Sequence, residues 1–303
     1  MSESALPNVA FRAMTFNMRC KTADDANRKG ADGNGRDCQW DARKDLFFSV
    51  IIRELPCLLG VQEVMPDQME DLKKTLGSIG YTCYGNERDG EGSEGLFLAV
   101  RSSIWTVMDT NTFWLGDQPD VPGSKAAGAQ FPRIAIWASL QMVASEKHKL
   151  MFINTHLDHP QSKEAEENRT NSAEQIGEFV KQHGVPAVVL LDSNAEPGAQ
   201  AHVKFLEMGL VDSWAKCHPE AAIDRPTTFH LFQGTGFSVP AEWASNCAPE
   251  SLGPDGRKTC HIDWCLHTLG LQSLACEIEK TDGKNGQSPP SDHFAVITTL
   301  KFV

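Results

Sequence analysis

The sequence predicts a mixed α/β or α+β protein, and two features of its hydrophobic pattern lead to that class. Short apolar runs rich in β-branched and aromatic residues recur along the 303 residues, and they alternate with polar segments of helical period. Several consecutive runs are joined by loops too short to hold a crossover helix. Because short loops join only antiparallel neighbours, much of the sheet is expected to be antiparallel.

The strands and helices follow from these runs in chain order. Strands are predicted at residues 9–17, 57–62, 96–100, 105–112, 133–142, 149–155, 187–192, 261–267 and 293–301. Helices are predicted at residues 42–54, 68–76, 163–183 and 200–208. The longest helix has apolar positions at Ile176, Phe179 and Val180 after an acidic first turn, which favours helix formation.

Polar, glycine-containing stretches at residues 21–39, 85–95 and 234–258 separate these elements. Segments of similar strand character resume on both sides of each stretch, so none is typical of a domain linker. We therefore expect one domain over residues 1–303, with a core from about residue 9 to 303. Long loops inside a compact domain are usually functional or disordered.

The composition, 41% hydrophobic and 22% charged, is that of an ordinary globular protein and excludes collagen-like, coiled-coil and disordered classes. No apolar run approaches the roughly 18 residues that a membrane span needs, and the first residues lack the regions of a signal peptide. The 9 cysteines include no CxxC pair, which favours reduced thiols over disulfides or structural zinc. We therefore expect a cytoplasmic protein without a membrane partner.

The net charge of −12, from 28 Lys and Arg against 40 Asp and Glu, bears on the partner. Proteins that hold duplex nucleic acid usually present a basic face, because phosphate contacts supply most of the non-specific affinity. The basic residues of the 21–39 loop are interspersed with aspartates, so they form no clear basic patch. Duplex nucleic acid is therefore a disfavoured partner.

Polar side chains follow several predicted strands at the point where each strand ends. They are Asn17, Glu63, His156, Asp192 with Asn194, and Asp263, while Ser291, Asp292 and His293 open the last strand. Taken singly, an Asn or Asp there is more often a turn residue, a lone His is more often structural, and Glu63 could cap the next helix. As a set, they are costly to bury without water, hydrogen bonds or a cation. Convergence on one rim would suit a hard divalent cation.

The order of the motifs around these residues resembles the endonuclease/exonuclease/phosphatase family, whose DNase I-like fold is shared by metal-dependent nucleases and phosphatases. The motifs are MTFNMR, GVQEV, EGLFLAV, NTHLDH, LLDSNAEPG, HIDWCL and SDHFAV, and they extend from about residue 11 to 302. The resemblance implies a four-layer α/β sandwich in which two packed mixed, largely antiparallel sheets are flanked by helices. It also implies a divalent-metal-dependent phosphoester hydrolase without a covalent enzyme intermediate.

The resemblance implies a metal site for Mg²⁺ or Mn²⁺. By position in the motifs, Asn17 and Glu63 would hold the ion, with Asp292 as a further ligand. Arg19 stands where some nuclease members have an acidic residue, which weakens a two-metal arrangement. Arg19 is instead a candidate substrate-binding residue.

The resemblance also implies catalytic roles for two residues after the LLD strand. Asp192 would orient or deprotonate the attacking water, and Asn194 would bind the developing phosphorane oxygens. The motif reads LDSN where family members usually read GDFN, but the Asp and the Asn are both kept.

Two histidines are implied to contact the scissile phosphate from different sides. His156 would be positioned by Glu94, and His293 would be held in tautomer and orientation by Asp263. A metal that neutralises phosphate charge, together with fixed donors that stabilise the transition state, makes this set chemically coherent.

The substrate is predicted less sharply than the chemistry. The net charge favours a small or single-stranded phosphodiester, with a phosphomonoester or phosphoanhydride close behind. A nuclease or deadenylase acting on polynucleotides stays open as an alternative, and so does a non-catalytic binding protein of the same fold. The binding protein is the weaker alternative, because every expected ionisable residue is retained.

Tryptophans in or beside loops are candidates for stacking on a base or sugar. Trp243 is assigned to substrate binding on this ground, and Trp40 and Trp114 are further candidates, although core burial is commoner for any one tryptophan. Trp243 lies in the 234–258 loop, which either covers the site and selects substrates or is a surface excursion with no role.

Overall fold

The computed structural model describes residues 9–30, 33–222, 224–253, 256, 258–283 and 286–303. Within them, two sheets of 6 strands each form the body of the protein. The first sheet contains β1 (Ala10–Asn17), β4 (Leu58–Val64), β5 (Tyr81–Glu87), β6 (Gly95–Arg101), β13 (Leu271–Glu279) and β14 (Ala295–Phe302). The second contains β7 (Trp105–Trp114), β8 (Ile134–Met142), β9 (Ser145–His156), β10 (Ala187–Asp192), β11 (Leu210–Asp212) and β12 (Asp263–Thr268). A small ribbon pairs β2 (Arg28–Lys29) with β3 (Gly35–Arg36).

The helices lie between and beside these strands in the chain. They are α1 (Trp40–Glu54), α2 (Pro66–Ser78), α3 (Lys163–His183), α4 (Gln200–Glu207), α5 (Ser213–Cys217) and α6 (Ala241–Ser245). The longest, α3, begins where Ser162 Oγ accepts a hydrogen bond from the Ala165 N–H and ends at Gly184, which has a φ of 64°. In the described part of the chain, no helix is both long and apolar enough to cross a membrane.

Most neighbouring strands are antiparallel, as the short connections predict. The first sheet has the order β13-β14-β1-β4-β6-β5, and the second has the order β11-β12-β10-β9-β8-β7. Among the described strand pairs, the exceptions are β1 with β4 and β9 with β10, which are parallel. The connections within these two pairs contain α1 and α3, because a parallel pair needs a crossover.

Separate buried clusters define the layers. Between the sheets, apolar side chains from both sheets pack together, among them Leu58, Leu98, Phe152 and Val188. A second cluster lies between the first sheet and helices α1 and α2, and a third lies between the second sheet and helices α3 and α4. The predicted four-layer α/β sandwich, with two mixed, largely antiparallel sheets flanked by helices, is confirmed.

A buried polar link joins the two sheets. Gln62 Nε2 donates to Asn154 Oδ1 at 2.7 Å, and Asn154 Nδ2 donates to the carbonyl oxygens of Val61 and Phe97. A Cβ atom at Gly60 would lie 2.8 Å from Asn154 Oδ1, so the close approach requires glycine. The link fixes the end of β4 relative to the end of β9, where the candidate site lies.

Several strands are not predicted by the apolar pattern, and each has a local reason. β5 is a half-exposed edge strand, β11 has only 3 residues, and β13 contains a register shift between Ser273 and Ala275 that interrupts its alternation. The strands predicted at 261–267 and 293–301 begin later, at Asp263 and Ala295. Cys260, with a φ of 56°, turns the chain just before residue 261, and the Ile262 N–H donates to the side chain of Thr228 rather than to a neighbouring strand.

Candidate active site

One rim of the packed sheets gathers polar side chains from many strands. β1, β4, β9 and β10 end there, and their antiparallel partners β6, β8, β12 and β14 begin there. Strand ends and strand starts therefore both supply side chains. The rim lines a pocket of about 250 Å³, called the rim pocket below. Eight of the site residues predicted from the sequence line this pocket: Arg19, Glu63, Glu94, His156, Asp192, Asn194, Asp292 and His293.

Asn17 connects two carboxylates of the rim pocket. Its Nδ2 donates to Glu63 Oε1 at 3.0 Å and to Asp192 Oδ2 at 2.8 Å, while its Oδ1 accepts from the Arg19 N–H. The amide therefore faces both acids with its nitrogen, whereas metal ligation would use its oxygen. The Cys20 N–H donates to Glu63 Oε2, so that both oxygens of Glu63 are held.

Unusual backbone conformations occur at three residues of the pocket. Arg19, Glu63 and Asn194 have φ angles of 60°, 59° and 50°, a left-handed region that residues other than glycine rarely adopt. At Glu63 this conformation coincides with an irregularity in the pairing of β4 with β6 between Val61 and Val64. Such strain persists where surrounding contacts fix it, and it clusters at functional sites.

Asp192, Asn194 and His156 form one group at the ends of β9 and β10. The Asn194 N–H donates to Asp192 Oδ1 at 3.0 Å, and Asn194 Nδ2 lies 2.9 Å from His156 Nε2. His156 Nε2 is also 3.6 Å from Asp192 Oδ2. Burial raises the pKa of Asp192 and lowers the pKa of His156, which favours a neutral imidazole beside the acid.

Asp263 fixes the orientation of His293. His293 Nδ1 lies 2.9 Å from Asp263 Oδ2, and His293 Nε2 lies 3.8 Å from Asp192 Oδ2. Burial by itself lowers the pKa of His293, but the carboxylates of Asp263, Asp192 and Asp292 together outweigh burial and raise that pKa to about 10. These acids therefore favour the charged form of His293.

Glu94 pairs with an arginine rather than with His156. Glu94 Oε1 accepts from Arg88 Nη1 at 2.8 Å but lies 3.7 Å from His156 Nδ1, too far for a hydrogen bond. His156 Nδ1 is buried without a hydrogen-bond partner among the described residues. The positioning of His156 by Glu94 that the resemblance implies is therefore not formed in this structure. Burial, and next the Glu63 carboxylate, raises the pKa of Glu94.

Arg133 is a residue of the rim pocket that the strand-end pattern misses. It directly precedes β8, is 5% exposed, and has no described hydrogen-bond partner for its Nε and Nη1 atoms. Its Nη2 lies 3.2 Å from His159 Nδ1, and its Nε lies 3.9 Å from Asp158 Oδ1. A buried guanidinium with unused donors at the wall of a pocket is suited to bind an anion.

Asp292 and Arg19 lie close together at the same pocket. Arg19 Nε is 3.9 Å from Asp292 Oδ2 and donates to Asp25 Oδ2 at 3.2 Å, while its Nη1 is 3.9 Å from Glu63 Oε2. Burial raises the pKa of Asp292, against the opposing effects of His293 and Arg19. Arg19 thus partly offsets the charge of two acids.

The donor set of the rim pocket fits a hard divalent cation. A carboxylate oxygen of Glu63 and one of Asp192 lie within 4.8 Å of each other and of a ring nitrogen of His293, which can be a ligand only in its neutral form. Asp263 Oδ1 is buried without a hydrogen-bond partner among the described residues, and burial raises the pKa of both Asp192 and Asp292. Negative charge is thus incompletely compensated here, and carboxylate oxygens are the ligands that such cations prefer.

Trp243 lines a second pocket beside the rim pocket rather than the rim pocket itself. This pocket, called the Trp243 pocket below, has a volume of about 370 Å³. It shares wall residues with the rim pocket, namely His159, Asn194, Phe229 and Ile262. The 234–258 segment that carries Trp243 contains α6 and two short 3-10 turns, and its residues 254, 255 and 257 lie outside the described residues.

The other two candidate tryptophans have core positions. Trp40 is 1% exposed, and its indole N–H donates to Asp71 Oδ2. Trp114 is 8% exposed, and its indole N–H donates to the carbonyl oxygen of Arg88. Neither ring is available for stacking on a ligand.

The comparisons with known proteins agree with this fold and with this order of motifs. The model of the Endonuclease/Exonuclease/phosphatase family matches residues 14–293. No curated protein matches the chain.

Several solved structures match over nearly the whole chain. An endonuclease/exonuclease/phosphatase family protein of Bacteroides thetaiotaomicron is 24% identical with a TM-score of 0.77, over 97% of this chain and 98% of that one. A second such protein, from Bacteroides vulgatus, is 28% identical with a TM-score of 0.75, over 97% of this chain and 100% of that one. A mannosyl-6-phosphatase of Bacteroides thetaiotaomicron is 25% identical with a TM-score of 0.73, over 96% of this chain and 100% of that one.

Proposed function

Because the chain belongs to the endonuclease/exonuclease/phosphatase family, we propose that it is a divalent-metal-dependent hydrolase of small phosphoesters in which Asp192 activates the attacking water. The observation that carries the proposal is the rim pocket, where acids, imidazoles and an arginine with unused donors converge. An acidic centre flanked by cationic donors supplies what phosphoryl transfer to water requires.

Mg²⁺ or Mn²⁺ is the proposed cofactor. Glu63 and Asp292 would hold the ion, since hard divalent cations prefer carboxylate and amide oxygens. Asn17 would join them only with its amide turned, so that Oδ1 instead of Nδ2 faces the acids. When bound, the ion withdraws negative charge from the phosphate oxygens.

Asp192 has the central role in the proposed reaction. Its carboxylate accepts a proton from water as the water oxygen bonds to phosphorus, the bond from phosphorus to the leaving oxygen breaks, and that oxygen takes up a proton. Asn17 Nδ2, at 2.8 Å, and the Asn194 N–H, at 3.0 Å, hold the carboxylate in place. Because no enzyme group bonds to phosphorus, the reaction is a single displacement, and it releases the phosphate and the free alcohol.

Donors around the pocket would stabilise the charge that develops on the phosphoryl oxygens. His293 and Arg19 contribute positive charge, and the Asn194 and His156 side chains line the same pocket. Arg133 adds a buried positive charge at the pocket wall, and its Nε and Nη1 have no hydrogen-bond partner among the described residues. Loss of one such donor costs hydrolases about 10²–10³ in rate.

A small ester is favoured over a polynucleotide. The rim pocket of about 250 Å³ and the Trp243 pocket of about 370 Å³ adjoin each other and together suit a compact molecule. The net charge of −12 disfavours a long polyanion. One matching structure, at 25% identity, is a mannosyl-6-phosphatase, which supports a sugar phosphate as substrate.

A panel of esters, assayed with and without Mg²⁺ or Mn²⁺, tests the proposal. The panel contains glycerol 2-phosphate, hexose phosphates, nucleotides, aryl diesters and oligonucleotides. We expect turnover of small esters that needs the cation and is lost in Asp192→Asn. Cleavage confined to oligonucleotides, with steep salt dependence, would favour the nuclease alternative. Ligand binding without turnover would favour a non-catalytic protein.

A further inference from the structure

The Trp243 pocket adjoins the rim pocket through shared residues. The Phe229 ring connects the two pockets, because its centroid is 4.9 Å from that of His293 and 6.4 Å from that of Trp243. Asn194 also lines both pockets. A volume of about 370 Å³ lies in the range of small-molecule sites. An ester with its phosphorus beside Asp192 can therefore place the rest of the molecule against Trp243.

Hydrogen bonds fix the Trp243 pocket relative to the rim pocket. The Ala248 N–H, which belongs to the same segment as Trp243, donates to the Gln161 carbonyl at 3.0 Å. Gln161 Nε2 donates in turn to the Asn194 carbonyl at 3.1 Å. The wall that carries Trp243 is thus tied to a residue of the rim pocket through Gln161.

The apolar wall of the pocket is aromatic and partly exposed. The Trp243 ring packs against Phe237 and Phe229, with centroid distances of 5.8 and 6.4 Å, and neither Trp243 nor Phe229 is fully buried. Partly open aromatic faces bind the flat faces of rings. Asn246 adds an amide group to the same wall, which suits the hydroxyl groups or ring nitrogens of a polar ring.

Lys258 brings a positive charge to this wall. Its Nζ lies 3.2 Å from Gln161 Oε1 and 3.6 Å from Cys247 Sγ, and neither partner is a carboxylate. By contrast, the ammonium groups of Lys44 and Lys181 pair with carboxylates. A half-buried ammonium held by an amide oxygen, in a chain of net charge −12, is suited to a ligand that carries its own negative charge.

We propose that the Trp243 pocket selects the substrate by taking a polar ring of the leaving group, stacked on Trp243, together with a second anionic group of the same leaving group, bound by Lys258. The inference rests on the proposed function, because the scissile phosphate must lie beside Asp192. Phosphorylated sugars and phosphorylated nucleosides share this chemistry. The pocket acts through binding and leaves the hydrolytic step unchanged.

Matched pairs of esters test the selection. One pair is hexose 6-phosphate with hexose 1,6-bisphosphate, and the other is adenosine 5′-monophosphate with adenosine 3′,5′-bisphosphate. We expect the bisphosphate of one pair to be preferred by about tenfold in kcat/KM, the size of one charge-assisted contact. A preference within the hexose pair would indicate a sugar substrate, and a preference within the adenosine pair would indicate a nucleoside substrate. Equal kcat/KM values within both pairs would overturn the proposal.

Variants assign the preference to the two residues. Lys258→Gln should abolish the preference for the second phosphate, whereas Lys181→Gln, which removes the same charge from an exposed site on α3, should retain it. Trp243→Ala should lower the ratio of kcat/KM for the ring ester to that for glycerol 2-phosphate by about tenfold, as loss of one stacking contact does. An undiminished preference in Lys258→Gln, or an unchanged ratio in Trp243→Ala, would contradict the assignment.

Binding measurements separate this inference from the proposed function. Calorimetric titration of the same esters into Asp192→Asn with Mg²⁺ requires no turnover. If the wild type hydrolyses no ester while Asp192→Asn binds a bisphosphate more tightly than its monophosphate, and this difference needs Lys258, the proposed function fails and the pocket assignment stands. If the wild type hydrolyses glycerol 2-phosphate but mono- and bisphosphates bind equally, the proposed function stands and the inference fails.

Discussion

Two buried arginines in different parts of the molecule have opposite surroundings. Arg169, on α3, is 0% exposed, and its guanidinium donates to Glu166 Oε2, to two carbonyl oxygens and to Ser251 Oγ. Arg133, at the rim pocket, is 5% exposed, and its Nε and Nη1 have no described hydrogen-bond partner. The first guanidinium joins segments of the fold, and the second lies at the wall of the rim pocket with two buried donors unpaired among the described residues.

The comparison teaches that burial alone does not distinguish a structural charge from a binding charge. A buried charge whose donors are all used joins parts of the fold, and removing it is destabilising because its partner is left uncompensated. A buried charge with unused donors destabilises the free protein, and a ligand that supplies acceptors offsets that cost. Arg43 belongs with Arg169, since its guanidinium donates to carbonyl oxygens that include those of Cys38 and Met18.

The largest expected effect lies at the rim pocket, where Asp192→Asn should lower kcat by about a thousandfold, as loss of a general base does. The free energy of unfolding should not fall, because burial and the Asp263 carboxylate raise the pKa of Asp192, so that a neutral amide relieves repulsion. Steady-state kinetics and urea denaturation measure the two quantities. A wild-type rate in this variant would remove Asp192 from the mechanism.

At Arg169, substitution is expected to lower the stability of the fold. Arg169→Met should lower the free energy of unfolding by about 3–5 kcal/mol, because Glu166 would stay buried without its partner. The double variant with Glu166→Gln should recover part of that loss, since it removes the uncompensated charge. Urea denaturation of the three proteins decides this. Unchanged stability in Arg169→Met would contradict the structural role assigned to Arg169.

Arg133→Met tests whether the Arg133 guanidinium binds the substrate. It should lower kcat/KM by about a hundredfold, as removal of one transition-state donor does. Its free energy of unfolding should change by less than about 1 kcal/mol, because few hydrogen bonds are lost. Arg133→Lys should recover only part of the rate, since an ammonium lacks the planar fork of donors. Equal losses of stability in Arg133→Met and Arg169→Met would show that unpaired donors do not distinguish a binding arginine from a structural one.

The smallest effect is expected in the metal requirement. Glu63→Gln should raise the Mg²⁺ concentration that gives half-maximal activity by about tenfold, because a neutral amide is a weaker ligand than a carboxylate. Glu178→Gln, an exposed acid on α3, is the matched control and should leave the metal titration unchanged. A titration of Glu63→Gln that coincides with the wild type would displace Glu63 as a ligand.

The sequence predicts the rim pocket best where apolar strands end. Asn17, His156 and Asp192 each close a buried strand, so the hydrophobic run itself marks them. Asp263 is predicted after a strand but in fact opens β12, and Arg133 precedes β8 and is missed. Both lie at the rim because their strands run antiparallel to strands that end there. A polar residue just before a strand, such as Arg133 before β8, therefore marks this rim as well as one that ends a strand.

The Trp243 pocket has no comparable local signal. The 234–258 segment shows neither helical nor strand periodicity over its length, and its position depends on contacts with distant residues. The bond from Lys258 Nζ to Gln161 Oε1, for example, joins residues that are 97 positions apart. Tertiary contacts of this kind decide whether Trp243 faces a pocket or the core, and the sequence alone leaves both outcomes open.

Hydrolysis in ¹⁸O-labelled water tests the central claim of water attack on phosphorus most directly. The ester that is turned over fastest is hydrolysed in the presence of Mg²⁺, and both products are examined by mass spectrometry. Attack by a water activated at Asp192 predicts that the label enters the phosphate and that the alcohol keeps its original oxygen. Label found in the alcohol would mean that the bond between carbon and oxygen is cleaved, which would contradict the proposed mechanism.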